Sequence, residues 1–221
     1  MFLNWGSFWD LYPQLLAGAR LTAFISLVSF ACAIGVAFLV ATGKLSRFRV
    51  ARTIATIYVE IIRNTPLLLQ VYVIFYGLPS LGFRFSPVTA SIIGLSLNVG
   101  AYLGEIFRAG VKSVPPGQRE AATALGMRPL QKLFYIIVPV SLRNIFPAFS
   151  NMAVATVLGS SLASVISVAE LTGATNEISA RTYLTIEVYS FSAVIYLALT
   201  LGLSLCLALF ERLLFPSRSR G

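Results

Sequence analysis

LTAFISLVSFACAIGVAFLVATG, residues 21–43, runs for 23 positions without one Asp, Glu, Lys or Arg. A helix rises about 1.5 Å per residue, so about 20 apolar residues cross the hydrocarbon core of a bilayer. Four further windows of the same kind follow, at residues 64–83, 85–104, 144–169 and 188–210. The chain is 57% hydrophobic and only 11% charged over its 221 residues, against about 25% charged in a soluble domain. The windows decide the fold class: an all-α integral membrane protein with five transmembrane helices. They are predicted at about residues 19–42, 53–78, 86–108, 145–168 and 187–209, within a single membrane domain covering residues 1–221.

The charges orient these spans. With the first loop (Lys44, Arg47, Arg49, Arg52) on the cytoplasmic side, five spans put the N-terminus outside and the C-terminus inside. Thirteen basic residues then face the cytoplasm and three (Arg20, Arg84, Arg181) face outward, with Arg63 left between. That is the positive-inside pattern. The same pattern accounts for the formal net charge of +9 without nucleic acid as a partner. Membrane lipid is the partner that the composition implies. Residues 1–19 lack a basic leader, and Asp10 interrupts their apolar run. Phe2, Trp5, Trp9 and Tyr12 recur at helical spacing, which predicts a short helix at the outer surface. Cys32 and Cys206 fall inside apolar spans and read as small buried side chains. With no histidine in the chain and no cysteine pattern, no metal site is expected.

The second span is longer than a bilayer requires and carries Glu60 and Arg63 ahead of Pro66. Proline lacks an N–H and clashes with the carbonyl four residues back, here Ile62. Asn64 and Thr65 stand at that break and can satisfy freed backbone groups. Broken helices at membrane depth occur where they are buried in protein or line a wet cavity. Residues 63–70, with Asn64, Thr65, Pro66 and Gln70, are therefore a candidate pathway segment, or a plain packed kink. Glu60 and Arg63 are three apart and able to pair, as are Glu105 and Arg108. The stretch from Glu170 to Glu187, with three of the eight acidic residues, reads as an outward loop.

Between the third and fourth spans lies a long cytoplasmic stretch. Pro115-Pro116-Gly117 stops the preceding helix. A short helix at about residues 117–128 then carries Glu120, Ala121, Ala122, Ala124, Leu125 and Gly126, and Pro129 ends or restarts it. Small residues allow another surface close to the helix backbone, and Gly126 suits a helix end. On chemistry alone this is an amphipathic surface helix or a docking element for a soluble partner. Gly43-Lys44 invites a phosphate-loop reading, but such a loop needs glycine five residues before Gly43, and Phe38 stands there. No nucleophile–base constellation is visible, so no catalytic residue is assigned.

Glu120-Ala121-Ala122, Gly126 and Ile137-Val138-Pro139 resemble the EAA signature of ABC importer permeases of type I, with valine where leucine is more usual. Further segments resemble the polar amino acid branch of that family: residues 18–22, residues 58–70 (with Asn64 where glycine is common), Ala101-Tyr102, residues 105–110, Ser113-Val114-Pro115, residues 161–166 and 169–172. The resemblance covers residues 15–215. It implies a permease subunit in a bacterial inner membrane, forming the translocation pathway by alternating access. It implies partners: a cytoplasmic ABC ATPase dimer, a second permease subunit (the same or a homologous chain) and an extracytoplasmic amino acid binding protein. This chain would bind no cofactor, and ATP and Mg would be used by the ATPase. Gly117, Glu120, Ala121, Ala122, Ala124, Leu125 and Gly126 become the ATPase-docking residues, on a coupling helix. Where many relatives carry Lys-Asp before a Ser-Leu-Ala-Ser run, this chain has Gly159-Ser160. The neutral patch Ser160, Ser161 and Ser164 is expected to be an uncharged half of the pathway. The rival expectation is a carrier or channel driven by an ion gradient without an ATPase.

Overall fold

Prolines punctuate this chain. The structure is a computed structural model that describes residues 11–215. Its helices are α1 (Tyr12–Leu45), α2 (Arg49–Arg63), α3 (Leu67–Tyr72), α4 (Pro87–Lys112), α5 (Pro116–Ala124), α6 (Pro129–Lys132), α7 (Val138–Gly159), α8 (Leu171–Thr182) and α9 (Thr185–Leu214). Pro13, Pro87, Pro116 and Pro129 each stand in a first turn, where the missing N–H costs nothing. Ser86 caps α4 by accepting from the Thr89 N–H at 3.1 Å.

Two wide π turns have a common cause. Val73–Gly77 follows α3 and stands two residues before Pro79, and Leu133–Ile137 joins α6 to α7 and stands two residues before Pro139. Each proline ring would collide with the carbonyl four residues back, Phe75 or Tyr135, and an extra residue per turn relieves the clash. At Pro66 the chain breaks instead: the α2 axis and the segment Leu67–Leu81 meet at 105°.

Among the described residues, four helices are long and apolar enough to cross a membrane: Tyr12–Leu45, Pro87–Lys112, Pro129–Ile166 and Thr185–Leu214. The bent pair is a fifth if counted as one span. The second span, expected from about residue 53 with a break at Pro66, begins at Arg49 and folds at that break. Residues 129–166 run on as one candidate span. The aromatic helix expected at the outer surface falls largely in residues 1–10, outside the described residues.

α4 is the central helix and α1 runs parallel along it. Val36 faces Gly100, Val40 faces Gly104 and Lys44 reaches Glu105. Ala33, Ala37 and Leu103 fill the seam. A Cβ on Gly104 would stand 2.4 Å from the nearer Val40 methyl, and one on Gly100 would stand 2.6 Å from Val36, so glycine is obligatory at both. α9 lies outermost, with none of its most apolar window buried by the chain. Cys32 and Cys206 are exposed on the helix surfaces, contrary to the expectation of burial; helix faces turned away from the bundle need only be apolar, which sulfur satisfies.

The stretch 170–187 is not a loop. It holds α8, which packs on α1 and α9, and Glu170 at its start is fully buried. Polar content misled the reading, because α8 buries Leu171, Ala174, Thr175 and Ile178 while turning its polar side chains away.

Candidate functional site

The stretch between α4 and α7 builds a short, exposed helix, α5. α5 ends in a Schellman motif: the Met127 N–H donates to the Ala122 carbonyl at 3.1 Å and the Gly126 N–H to the Thr123 carbonyl at 2.9 Å. Gly126 has φ +70°, a left-handed conformation that glycine adopts without strain. Gly117, Glu120, Ala121, Ala124, Leu125 and Gly126 are all exposed, Leu125 to 80%. Ala122 differs from the other expected docking residues: it is buried, so its small size serves packing within the chain. Leu130, Phe134 and Tyr135 continue the exposed apolar surface, and a groove of about 330 Å³ runs between Gln118, Ala121 and Leu125 on one side and Tyr135 and Val140 on the other.

Two contacts tie this helix to its neighbours, and a third, between Asn144 and Ser113, joins α7 to the end of α4. The Arg119 guanidinium donates to the Val111 carbonyl in the last turn of α4, where cations favour the helix dipole. Lys132 Nζ donates to Thr123 Oγ1 at 2.9 Å, and Asn144 Nδ2 to Ser113 Oγ at 2.9 Å. Two turns up α4, Glu105 accepts from Arg108 Nε at 2.9 Å and Nη2 at 2.6 Å and also pairs with Lys44 at the end of α1. The expected Glu105–Arg108 pair is present. Its third member, Lys44, lies 61 residues away in sequence, so spacing carried no sign of it.

The break after α2 is braced by one side chain. Gln70 Nε2 donates to the Ile62 carbonyl at 2.8 Å, the group Pro66 leaves without a partner, and to Thr65. Gln70 Oε1 accepts from Asn98 Nδ2 at 3.1 Å, fastening the bend to α4. Thr65 Oγ1 donates to the Ile61 carbonyl, and Asn64 Nδ2 to both the Glu60 carbonyl and carboxylate. Gln70→Glu keeps the size but cannot donate to Ile62. It is expected to cost about 1 kcal/mol, because the part-buried Ile62 carbonyl keeps only the Thr65 hydroxyl at 3.4 Å, read as a lower melting temperature of the purified protein; an unchanged melt would remove the brace from this account.

The Glu60–Arg63 pair expected from spacing is not formed. The Arg63 guanidinium lies over the Tyr102 ring at 5.0 Å instead, and Glu60 accepts from the Asn64 amide at 3.2 Å.

Ser160, Ser161 and Ser164 all lie on the 3-10 segment Ser160–Ile166. Their hydroxyls donate to the carbonyls of Val157, Leu158 and Ser161. Ser160 is fully buried, whereas Ser161 and Ser164 are partly exposed. Gly159 stands in ordinary contact range of Leu67 and Leu95, so the structure brings this patch against α3 and α4.

Sequence reasoning missed the Glu170 cluster. Its carboxylate caps α8, accepting from the Thr172 N–H (3.0 Å) and the Gly173 N–H (2.9 Å). It also accepts from Thr22 Oγ1 of α1 (3.1 Å) and the Tyr196 hydroxyl of α9 (2.9 Å). The available sign was an acid directly before Leu171, at a helix N-cap position.

Comparison with known proteins was made along the whole chain. Residues 33–220 match the family described as binding-protein-dependent transport system inner membrane component. The glutamine transport system permease protein GlnP of Escherichia coli (strain K12) is 36% identical over 214 residues, 96% of this chain and 98% of the relative. The L-cystine transport system permease protein TcyB of Bacillus subtilis (strain 168) is 39% identical over 210 residues, 92% of this chain and 90% of the relative. A crystal structure of an amino acid ABC transporter with histidines superposes with a TM-score of 0.90 at 35% identity, covering 96% of this chain and 99% of that one.

Proposed function

The chain belongs to the family of binding-protein-dependent transport system inner membrane components, and from that membership we propose that it is the permease subunit of an ATP-driven amino acid importer. The observation that carries the substrate class is the agreement between near-full-length relatives named for glutamine and L-cystine and the solved amino acid transporter. The partners are a cytoplasmic ATPase dimer, which holds ATP and Mg, a second permease subunit and an external amino acid binding protein. The N-terminus is outside and the C-terminus inside, which places α5 on the ATPase side. A carrier driven by an ion gradient is not favoured, because the family is binding-protein-dependent.

In this reading α5 is the coupling helix. Glu120, Ala121, Ala124 and Leu125 enter a groove of the ATPase, with Gly117 and Gly126 at its ends and Ala122 holding the helix to this chain. ATP drives the change only by favouring one state over the other. Closure of the ATPase pair displaces α5; Arg119 passes the displacement to Val111 and α4, and Lys44–Glu105 passes it to α1. Asn64, Thr65, Pro66, Gln70 and the serines at 160, 161 and 164 stand on the pathway, with Gln70 bracing its wall.

The test is reconstitution in vesicles with and without the cognate ATPase. Uptake by this chain alone, driven by a cation gradient, would sink the importer reading. Glu120→Lys reverses a docking charge. Gly126→Trp puts a bulky residue where the backbone is left-handed, which costs about 1–2 kcal/mol before any clash with a partner. Both variants are expected to insert normally and to lose most ATP-driven uptake. Wild-type uptake from both overturns the docking assignment.

A further inference from the structure

We propose that a phospholipid of the bilayer occupies the crevice between α1, α7 and α9, its phosphate held by Arg20 and one acyl chain lying along the leucines of α9. The inference goes beyond the transport reading and stands apart from it, since it needs only the location of the chain in a bilayer.

The walls are the first argument. α9 is fastened to the bundle at two places. Near its start the Tyr196 hydroxyl donates to Glu170 at 2.9 Å, and Glu170 also accepts from Thr22 of α1. Near its end the Phe210 ring lies 6.3 Å from the Phe146 ring of α7. Between these fastenings Leu199, Leu203 and Leu207 recur every four residues, on one helix face. The other walls include Ala23 and Ser26 of α1 and Ala153 of α7, side chains too short to fill the gap. The space left is about 410 Å³. Phe30 meets Phe149 edge-on at 5.0 Å and closes it towards the C-terminal end of α1.

Polarity is the second. Ser26 is the one lining side chain with a hydroxyl, and it donates to the Thr22 carbonyl at 2.7 Å. A water in a cavity needs two to four polar partners, and an apolar cavity of about 150 Å³ stays dry and binds benzene. The crevice is larger than that and equally apolar, so a hydrocarbon chain fills it and water does not. Leu27 stands at the rim, 72% exposed, where the chain passes out to the bilayer.

Depth and charge are the third. The charge-free window of α1 is bounded by Arg20 and Lys44. Counting back from Lys44 the roughly 20 residues that cross a hydrocarbon core reaches about Phe24, one turn short of Arg20. Arg20 therefore stands at the level of the phosphates. It is exposed, and it makes no ion pair or hydrogen bond among the described residues. Ala23 and Leu27 follow it by three and seven residues, so Arg20 heads the same helix face that lines the crevice. From Arg20 to Phe30 the helix rises about 15 Å, the depth of one leaflet in a core of roughly 30 Å. A guanidinium binds a phosphate through paired, charge-assisted hydrogen bonds.

The experiment uses the assembled complex in vesicles that carry a small fraction of phosphatidylglycerol with a diazirine in one acyl chain. After illumination, mass spectrometry maps the adducts. They are expected to concentrate on Leu27, Phe30, Leu203 and Leu207, above the level on Leu201 and Leu205, which α9 exposes on its other faces. Arg20→Gln removes the charged hydrogen bonds to the head and Ala153→Leu fills the space for the tail. Each is expected to lower the crevice adducts roughly fivefold or more, and a smaller loss in either overturns the proposal. Gel filtration establishes that each complex assembles; if Ala153→Leu does not, Ala23→Leu, on the exposed side of the crevice, takes its place. Arg84→Gln alters an exposed arginine that does not border the crevice and should leave the adducts unchanged; a loss equal to that of Arg20→Gln overturns the assignment of the head. Even labelling on all faces of α1 and α9 means annular lipid only and overturns it. Absence of adducts from α9, with Leu203→Cys chains linking as disulfide pairs, puts a second permease copy on this face and overturns it as well.

Discussion

Glu170→Ala is expected to lower the melting temperature of the purified protein by roughly 6–12 °C, the shift that about 3 kcal/mol gives a domain of this size. The substitution strips an acceptor from four donors at once. The Tyr196 hydroxyl has another partner within reach, Thr172 Oγ1 at 2.9 Å, whereas the Thr22 O–H loses its acceptor and Thr22 keeps only the Leu171 N–H that donates to it. The Thr172 and Gly173 amides have none, and each buried unpaired group costs about 1–3 kcal/mol. Gly173 has no room to adjust, because even a Cβ there would stand 2.1 Å from the Val168 carbonyl oxygen. Glu170→Gln keeps one acceptor and should fall between the parent and the alanine variant. A melt for Glu170→Ala within 2 °C of the parent would sink this account.

The same group gives stability a pH dependence. Burial raises the Glu170 carboxyl above its ordinary value, against the lowering pull of hydrogen bonds from Thr172, Gly173, Tyr196 and Thr22. The folded state therefore keeps a proton that the unfolded chain has released. Stability from this group is fullest below the unfolded value of 4.5 and declines as pH rises from there through the folded value. Glu170→Gln should remove that slope.

The second large effect lies on the α1–α4 seam. Gly104→Ala places a methyl 2.4 Å from one Val40 carbon and 2.7 Å from another. Valine in a helix has one favoured rotamer and cannot swing aside, so the helices must part. Overpacking of this kind costs about 1–3 kcal/mol. Close approach through small residues is what holds helices together in lipid, so the loss extends along the seam. Val40→Gly removes both carbons and opens the space, and the double variant should recover part of the loss of Gly104→Ala. Simple additivity of the two losses would show that the contact is not the cause.

Much of this architecture was legible because membranes impose simple rules. Windows free of charge located the long helices, and Pro66, Pro116, Pro129 and Gly126 marked breaks, starts and an end through backbone chemistry that needs no partner. The 105° bend was not legible, because Pro66 opens a range of angles and the Gln70–Asn98 bond selects one. α8 was hidden by its polar residues, and the burial of Glu170 by the distance in sequence to Thr22 and Tyr196. In α5 the helix end followed from Gly126, whereas the inward turn of Ala122 and the Arg119 anchor needed three dimensions. Spacing suggested a Glu60–Arg63 pair, and the Tyr102 ring over which Arg63 lies instead belongs to another helix.

The bond between Thr22 and Glu170 joins residues 148 positions apart. A ribosome adding about 5–20 residues per second makes Thr22 roughly 7–30 s before Glu170, and Tyr196 comes later still. For that interval α1 sits in the bilayer with a bare hydroxyl and no fixed place against the end of the chain. α4 arrives early and gives it a seam; the latch near its N-terminal end closes only as α9 is threaded in. Translation order thus makes the Glu170 knot a late step of biogenesis, and a chain cut short before α8 would be a bundle left unfastened at one end.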